Sequence, residues 1–302
     1  MIRSILVALD GSEPARVAGR NAAVAAQWFG ARLRAVFVDD SAERARMAAL
    51  PITPGTPVGG VPPSILVSLE DLEEEVARRR EQVAEFLRNL CQGMGLEGVA
   101  LETVRGRPAD CIVRLGHQVD LLVMGRSGFS AGPEEDTLGS VCEAVLHHAN
   151  KPVLVSTAGQ SEEAKRPERS ETQLSGPIVV AYDGRHPANK ALAVACQFAE
   201  QARAGPKAER LSLIVLCIKD VEQEARPLLE EARQYLLPHG VEAEFLWQKG
   251  PVAKAIVAKV KEAGGGMVAM GAFGESRLRE VLLGSHTRRV LLACTCPVLL
   301  AR

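Results

Sequence analysis

Glycines and hydroxyl residues near the C-terminus are spaced as in a loop that could hold a phosphate chain. Gly271 and Gly274 end an apolar run, and after the nine residues 275–283, Gly284 and Ser285 open a helical segment. Glycine lets a backbone approach an anion closely, and a helix N-terminus offers free N–H groups at the positive end of its dipole. With Thr287 as a further hydroxyl donor, the spacing favours a ribose near Gly271 and phosphates from Gly274 onward.

An aspartate follows a buried apolar run near the start of each half of the chain. Asp10 comes after 5–9 and Asp183 after 178–182, and a glycine follows each of them. A carboxylate at such a place can accept hydrogen bonds from sugar hydroxyls or from a base edge. The simpler alternative is a turn or helix-capping aspartate, which uses the same residue type.

These features recur because the chain contains two copies of one unit. Four segments of the first copy are echoed in the same order in the second: 5–11 by 178–184, 123–128 by 269–274, 138–140 by 283–285 and 152–155 by 297–300. We predict one domain over 1–158 and another over 176–302. The linker 159–175 between them has almost no apolar content and cannot offset its own ordering entropy. A proline-rich insertion at about 45–70 enlarges the first domain.

Strands and helices alternate in each copy. Short apolar runs predict strands at 2–9, 33–38, 99–105, 120–124 and 152–156 in the first copy, and at 178–182, 211–218, 241–247, 267–270 and 297–301 in the second. Helical spacing of apolar residues separates them. Such alternation indicates an α/β fold with a mainly parallel sheet and helices on both faces. Ligands of such sheets lie beyond the carboxyl ends of the strands, where the strand order reverses.

Composition argues against several classes of protein. A net charge of −1 and 4% aromatic residues do not suit a nucleic-acid binder. No apolar stretch reaches the length of a membrane span, so we expect no membrane partner. Seven scattered cysteines suit reduced thiols in the cytoplasm, and Cys294-x-Cys296 lacks the second pair that a metal site would need. We therefore expect no metal site.

With these residues in place, the chain resembles the universal stress protein family in its tandem, two-domain form. The family's motif is G-x2-G-x9-G-[S/T] with an aspartate closing the first strand, and the second copy matches it through Asp183, Gly271, Gly274, Gly284 and Ser285. The resemblance implies two flavodoxin-like (Rossmann-like) doubly wound domains with mainly parallel five-stranded sheets. It also implies that 152–156 and 297–301 pair within the chain, as an intrachain pseudo-dimer, and a further homodimer is an open alternative.

The resemblance implies that these residues follow one adenine nucleotide, ATP or else ADP or AMP, with or without Mg²⁺. Asp183 would lie by the adenosine, the main chain of Ile218 by the adenine, and Gly271 by the ribose. The positions along the phosphates would be Gly274, Gly284, Ser285, His286 and Thr287. The corresponding positions of the first copy are Asp10, Val38, Gly125, Gly128, Gly139, Ser140 and Val141.

The first copy departs from the motif. Ten residues, 129–138, separate its last two glycines, and they include Glu134, Glu135 and Asp136. The corresponding region of the second copy instead carries Arg277, Arg279, Arg288 and Arg289, and all nine lysines of the chain lie beyond residue 150. Carboxylates repel phosphates, and a unit charge about 4 Å away is worth about 4 kcal/mol at an effective dielectric of about 20, before screening. We therefore expect the second site to bind ATP more tightly.

Three functions are compatible with these residues. The first is an ATP-binding protein with a regulatory or stress-survival role. The second is a slow ATP-hydrolysing enzyme, slow because no residue of the motif is an obvious base for water and no lysine follows the glycines as in a P-loop. The third is an interaction module that binds no nucleotide.

Overall fold

The computed structural model describes residues 1–42, 44, 69–128, 137–157, 174–205, 210–272 and 284–302. We call the part up to residue 157 the first half and the part from residue 174 the second half. The predicted insertion lies outside the described residues except for its last two positions, and so does the predicted linker except for 174–175. The three carboxylates of 134–136 and the two arginines at 277 and 279 also lie outside them.

Within these residues ten strands form one sheet. In chain order they are β1 Ser4–Ala8, β2 Arg32–Asp39, β3 Leu101–Arg105, β4 Leu121–Gly125, β5 Val153–Ser156, β6 Ile178–Ala181, β7 Leu213–Ile218, β8 Ala243–Gln248, β9 Met267–Gly271 and β10 Val298–Ala301. Their order across the sheet is β3-β2-β1-β4-β5-β10-β9-β6-β7-β8. Each half therefore has the order of a doubly wound unit, with its reversal between the first and fourth strands.

The helices of the described residues connect these strands. They are α1 Glu13–Phe29, α2 Leu69–Met94, α3 Pro108–Gly116, α4 Ser140–His148, α5 His186–Ala204, α6 Glu222–Leu236, α7 Val252–Glu262 and α8 Ser285–Ala293, with a 3₁₀ turn Leu237–His239 after α6. Local sequence explains the ends of α1, since the Ser12 side chain accepts a hydrogen bond from the Ala15 amide and Gly30 closes the helix at φ 57°. None of the described helices is both long and apolar enough to cross a bilayer.

The two halves meet at an antiparallel seam formed by β5 and β10. Val298, Leu299 and Leu300 lie opposite Val155, Leu154 and Val153, whereas every other strand pair of the sheet is parallel. Both strands are fully buried and, apart from Ser156, apolar, as expected for strands covered on both faces. The predicted α/β fold with two doubly wound, five-stranded units is thus confirmed, and the seam joins the two units into one sheet.

Helices also pack against each other across the seam. On one face α1 packs against α5, where Phe198 makes edge-to-face contacts with Trp28 and Phe29 at ring-centroid distances of 6.5 and 5.0 Å. The Asn21 side chain of α1 donates to the Ser156 hydroxyl at 3.0 Å in this buried layer. The apolar core therefore continues from one half into the other.

Two arginines tie helix ends across the seam. Arg126, which follows β4, donates from Nη1 to the carbonyls of Leu291 and Leu292 at 3.0 and 3.1 Å, in the last turn of α8. Arg302, which follows β10, donates to the Ala149 carbonyl at the end of α4 at 3.2 Å. A cation at a helix C-terminus is favourable because the last carbonyls carry partial negative charge.

Candidate functional site

A cavity of about 350 Å³ opens in the first half, at the carboxyl ends of β1, β2 and β4. This is the point where the strand order reverses between β1 and β4. All seven positions predicted in the first copy line it: Asp10, Val38, Gly125, Gly128, Gly139, Ser140 and Val141. The fold therefore brings together residues that are up to 131 positions apart in the chain, and their role toward a ligand stays a prediction.

Asp10 is held in a defined orientation beside the cavity. Its Oδ1 accepts hydrogen bonds from the Ser12 amide at 2.9 Å and from the Ser12 hydroxyl at 2.6 Å. Its Oδ2 faces Gly128, where a Cβ would lie 2.6 Å from that oxygen. The turn needs the intervening Gly11, whose φ is 91°. Asp10 is therefore a turn aspartate, as the simpler alternative had it, and it also lines the cavity.

Gly125 and Gly271 have a packing reason to be glycine. A Cβ on Gly125 would lie 2.9 Å from the Ala15 amide nitrogen and equally close to Pro14, in the first turn of α1. A Cβ on Gly271 would lie 2.8 Å from the Cβ of Pro187, in the first turn of α5. In both halves the missing side chain lets the first helix start directly against the fourth strand of that half. This fixes the position of the aspartate turn relative to the glycine loop.

The N-terminus of α4 forms one wall of the cavity. Gly139 is its N-cap residue with φ −59°, and no side chain caps the helix among the described residues. A Cβ on Gly139 would lie 3.0 Å from the Cα of Ser127, so a close approach and not a left-handed φ explains this glycine. The first-turn N–H groups of Ser140 and Val141 lack partners within the helix and carry its positive dipole end. Such a wall suits an anion.

Two charged residues that line the cavity, Arg79 and Asp40, were not predicted from the sequence. Arg79 on α2 is only 11% exposed, and its Nη2 lies 3.8 Å from Asp40 Oδ1 while its Nε lies 3.5 Å from Glu75 Oε1. The spacing of the sequence could have indicated Arg79. It follows Val76 by three positions and precedes Val83 by four, so it lies on the same, buried face of the helix. The cavity thus holds a cation paired with carboxylates.

Asp39, at the end of β2, anchors the loop that carries Asp40. It accepts hydrogen bonds from the Ser41 amide at 3.1 Å and the Ser41 hydroxyl at 2.6 Å, and Arg105 Nε lies 3.1 Å from its Oδ2. Burial by itself would raise the pKa of Asp39, but the hydrogen bonds from Ser41 and the charge of Arg105 outweigh it and hold this pKa below its ordinary value. The folded loop is therefore adapted to a charged Asp39.

The described site residues of the second half occupy the equivalent places. Asp183 follows β6, and its Oδ1 accepts a hydrogen bond from the Arg185 amide at 3.1 Å. Ile218 and Gly271 end β7 and β9. Gly284 is the N-cap residue of α8 with φ −50° and, within the described residues, no capping side chain. Gly274 lies outside the described residues.

The first turn of α8 differs from that of α4 in its side chains. Ser285 and His286 are exposed, whereas Thr287 is buried and its hydroxyl donates to the Ala272 carbonyl at 3.0 Å. The Thr287 hydroxyl thus ties the helix start to the end of β9. At the equivalent position of α4, burial raises the pKa of the Cys142 thiol to about 12, although the charge of Arg126 opposes the shift.

Comparison with known proteins gives a consistent result. A sequence profile described as "Universal stress protein family" matches residues 1–157 and 175–302. The chain is 27% identical over 309 residues to Universal stress protein Slr1230 of Synechocystis sp., covering 100% of both chains. It is 34% identical over 160 residues to a universal stress protein of Thermus aquaticus, covering 51% of this chain and 98% of that relative.

Among solved structures, a universal stress protein from Archaeoglobus fulgidus DSM 4304 has the same fold. The TM-score is 0.71 with 18% sequence identity, over 99% of this chain and 98% of the other. The likeness extends over both halves of the chain. At 18% sequence identity, this likeness shows a shared fold and nothing about function.

Proposed function

Because the chain belongs to the universal stress protein family, we propose that it binds an adenine nucleotide, ATP or else ADP or AMP, at the carboxyl ends of its strands. The adenosine lies near Asp10 and Val38, and the phosphates lie along Gly128 and the first turn of α4. The second half binds a nucleotide in the equivalent way at Asp183 and the first turn of α8. Occupancy would serve a regulatory or stress-survival role by stabilising one arrangement of the glycine loops.

One observation carries the proposal: a single cavity collects all seven positions that the motif marks in the first half. About 350 Å³ is within the usual range for a small-molecule site, which is apolar for the most part with a few well-placed polar groups. Here the polar groups are a fixed carboxylate at one end and a helix N-terminus at the other. This polarity fits a sugar and a phosphate chain in one ligand.

Binding fits the site better than rapid hydrolysis does. Among the described lining residues there is no histidine or lysine, and the carboxylates are Asp10 and Asp40. Asp10 is engaged by Ser12 and Asp40 lies beside Arg79, so neither is an unencumbered base for water. Oxygens that suit Mg²⁺ are present in Asp10 and Ser140, so we include Mg²⁺ as a companion of the phosphates and not as a resident metal.

We also propose that the second site binds ATP more tightly than the first. The fourth residue of α4 is Glu143, an acidic group in the first turn, whereas the equivalent residue of α8 is the exposed Arg288, followed by Arg289. A cation near a phosphate chain strengthens binding and an anion weakens it. The described part of the chain thus supports the same asymmetry as the loop composition does.

A glutamate in the first turn of each helix tests the proposal. Val141→Glu and His286→Glu place a negative charge where phosphates would lie, yet an acid at a helix N-terminus stabilises the helix by about 0.3–1 kcal/mol. Isothermal titration calorimetry on the full chain should show ATP affinity weakened about tenfold to a hundredfold at the altered site, because the repulsion is of the order of a few kcal/mol before screening. Adenosine, which has no phosphate, should bind as before.

The matched control is Gln92→Glu, which adds the same charge to an exposed residue in the last turn of α2, where the chain runs to the start of β3 and not from the carboxyl end of a strand. Its ATP affinity should equal that of the unaltered protein. Unchanged ATP binding in both site variants, with folding intact, would contradict the proposal and favour an interaction module. Hydrolysis of radiolabelled ATP well above background would favour the ATP-hydrolysing enzyme. If His286→Glu weakened only the lower-affinity site, the proposal that the second site binds more tightly would be refuted.

A further inference from the structure

Three metal-ligating side chains of different chemistry converge in the second half, apart from the candidate nucleotide site. They are Cys196 and Glu200, one turn apart on α5, and His239 in the 3₁₀ turn after α6. One ligand atom from each lies within 4.8 Å of the other two, and His239 Nδ1 is 2.9 Å from Glu200 Oε1. The cluster joins two elements that are adjacent in space but about forty positions apart in sequence.

The surrounding structure fixes the imidazole of His239 opposite α5. Gly240 ends the 3₁₀ turn at φ 60°, and Arg203 of α5 donates to its carbonyl at 2.9 Å. The Tyr235 ring lies against the imidazole at a centroid distance of 5.2 Å. The side chain of Cys196 is buried, whereas those of Glu200 and His239 are 28% and 34% exposed, so solvent reaches the cluster from the carboxylate and imidazole side.

We propose that Cys196, Glu200 and His239 bind a Zn²⁺ ion, with water as the fourth ligand. Thiolate, imidazole and carboxylate are the three protein ligand types that Zn²⁺ takes in tetrahedral sites. A thiolate is a soft ligand that does not suit Mg²⁺ or Ca²⁺. Ligand atoms about 2.0–2.3 Å from a tetrahedral centre lie about 3.3–3.8 Å apart. The 2.9 Å between His239 and Glu200 would therefore widen slightly, and the other separations, all within 4.8 Å, would settle into the same range.

Zn²⁺ binding displaces the thiol proton of Cys196. Burial, with the charge of Glu200 adding to it, raises the pKa of the Cys196 thiol to about 12. The ion therefore takes the place of a proton, which goes to solvent. The other groups that face the cluster are Tyr235, whose own pKa is raised by burial and by Cys196 and Glu200, and the always-charged Arg203.

The test is a titration of the full chain, freed of metal with EDTA, with Zn²⁺ in competition with a chromogenic chelator. We expect one equivalent to bind, and Co²⁺ in its place to give the thiolate charge-transfer band of a tetrahedral site. Cys196→Ser should abolish that band, and Cys196→Ser and His239→Gln should each weaken Zn²⁺ binding by at least about tenfold. Glu200→Gln should weaken it too, although glutamine can keep the hydrogen bond to His239.

The matched control is Cys91→Ser, which removes another buried helical thiol, far along the chain from the cluster. It should leave the stoichiometry and affinity unchanged. Zn²⁺ binding that survives both Cys196→Ser and His239→Gln, or that disappears instead in a Cys294→Ser, Cys296→Ser double variant, would overturn the proposal. The absence of binding at micromolar Zn²⁺ would overturn it as well. His239 is at the surface, so His239→Gln keeps the test decisive if the cysteine variant folds poorly.

Discussion

The close approach between β4 and α1 makes Gly125→Ala a sharp test of how the candidate site is assembled. The new methyl group would lie 2.9 Å from three atoms of Pro14 and Ala15, two of them backbone atoms that cannot rotate away. Ordinary contacts between such atoms are about 3.5–4 Å, so the first turn of α1 would have to retreat by more than about 0.5 Å. That turn follows directly on Asp10 and Ser12, and its displacement would also disturb the carboxylate.

The cost can be worked out from these contacts. Overpacking of this kind destabilises a core by about 1–3 kcal/mol, while replacing a strand glycine returns about 0.5–1 kcal/mol. We therefore expect Gly125→Ala to lower the free energy of unfolding by up to about 2.5 kcal/mol. At about 2–4 °C per kcal/mol for chains of this size, the melting temperature should fall by several degrees. Thermal unfolding followed by circular dichroism measures it.

Gly93→Ala is the control for this experiment. Gly93 lies near the end of α2, a Cβ on it would meet no atom within 4 Å, and its φ is not positive. The same substitution there should leave stability unchanged or raise it by up to about 1 kcal/mol, because alanine is the better helix former. A melting temperature of Gly125→Ala at or above that of the unaltered protein would refute the packing argument.

Two further predictions concern charged groups near the site. Arg126→Gln removes two charge-assisted hydrogen bonds to the last turn of α8, so urea unfolding should show a loss of about 1–3 kcal/mol in the free energy of unfolding. The control Arg20→Gln, which breaks a surface ion pair with Glu13, should cost less than about 1 kcal/mol. Equal losses in the two variants would contradict the role given to Arg126. For Asp39→Asn, the folded pKa of the carboxyl lies below its ordinary value of 3.8, so its stabilising contribution is present above that pH and is lost as the pH falls through the folded pKa. The variant should be less stable than the unaltered protein at pH 7 and close to it near pH 2, as urea unfolding at each pH would show, and a difference independent of pH would count against this assignment.

Much of the fold could be predicted because its strands are short apolar runs with sharp ends. The predicted 178–182 and 120–124 correspond to Ile178–Ala181 and Leu121–Gly125, each bounded by residues that favour turns. The first-copy site positions come together for the same reason, since parallel strands end at one edge of the sheet. The lengths of the apolar runs and the turn residues that end them are therefore enough to predict where the cavity lies.

What the sequence could not supply is contact between side chains on different elements. The hydroxyl of Thr287 is predicted as a phosphate donor, yet it donates to Ala272, a partner that only the packing of α8 on β9 defines. The pairing of Arg79 with Asp40 depends on how α2 lies over β2. The approach of His239 to Cys196 has no short-range motif at all, because it depends on how the 3₁₀ turn lies over α5.

The antiparallel pairing of β5 with β10 places the two halves in opposite orientations. Since strands of the two halves run in opposite directions, the cavity beside Ser140 and the start of α8 at Ser285 lie at opposite rims of the sheet. The nine residues of α8, about 13 Å long, end on Arg126, which neighbours the cavity of the first half. Helix α8 therefore spans from one rim to the other. Helix α4 does the same in the opposite direction, since it begins at Ser140 and Arg302 donates to the Ala149 carbonyl at its end. A ligand in the first cavity and one at the start of α8 would therefore lie at opposite rims of the sheet, and the helix that begins beside each would end on a guanidinium, Arg302 or Arg126.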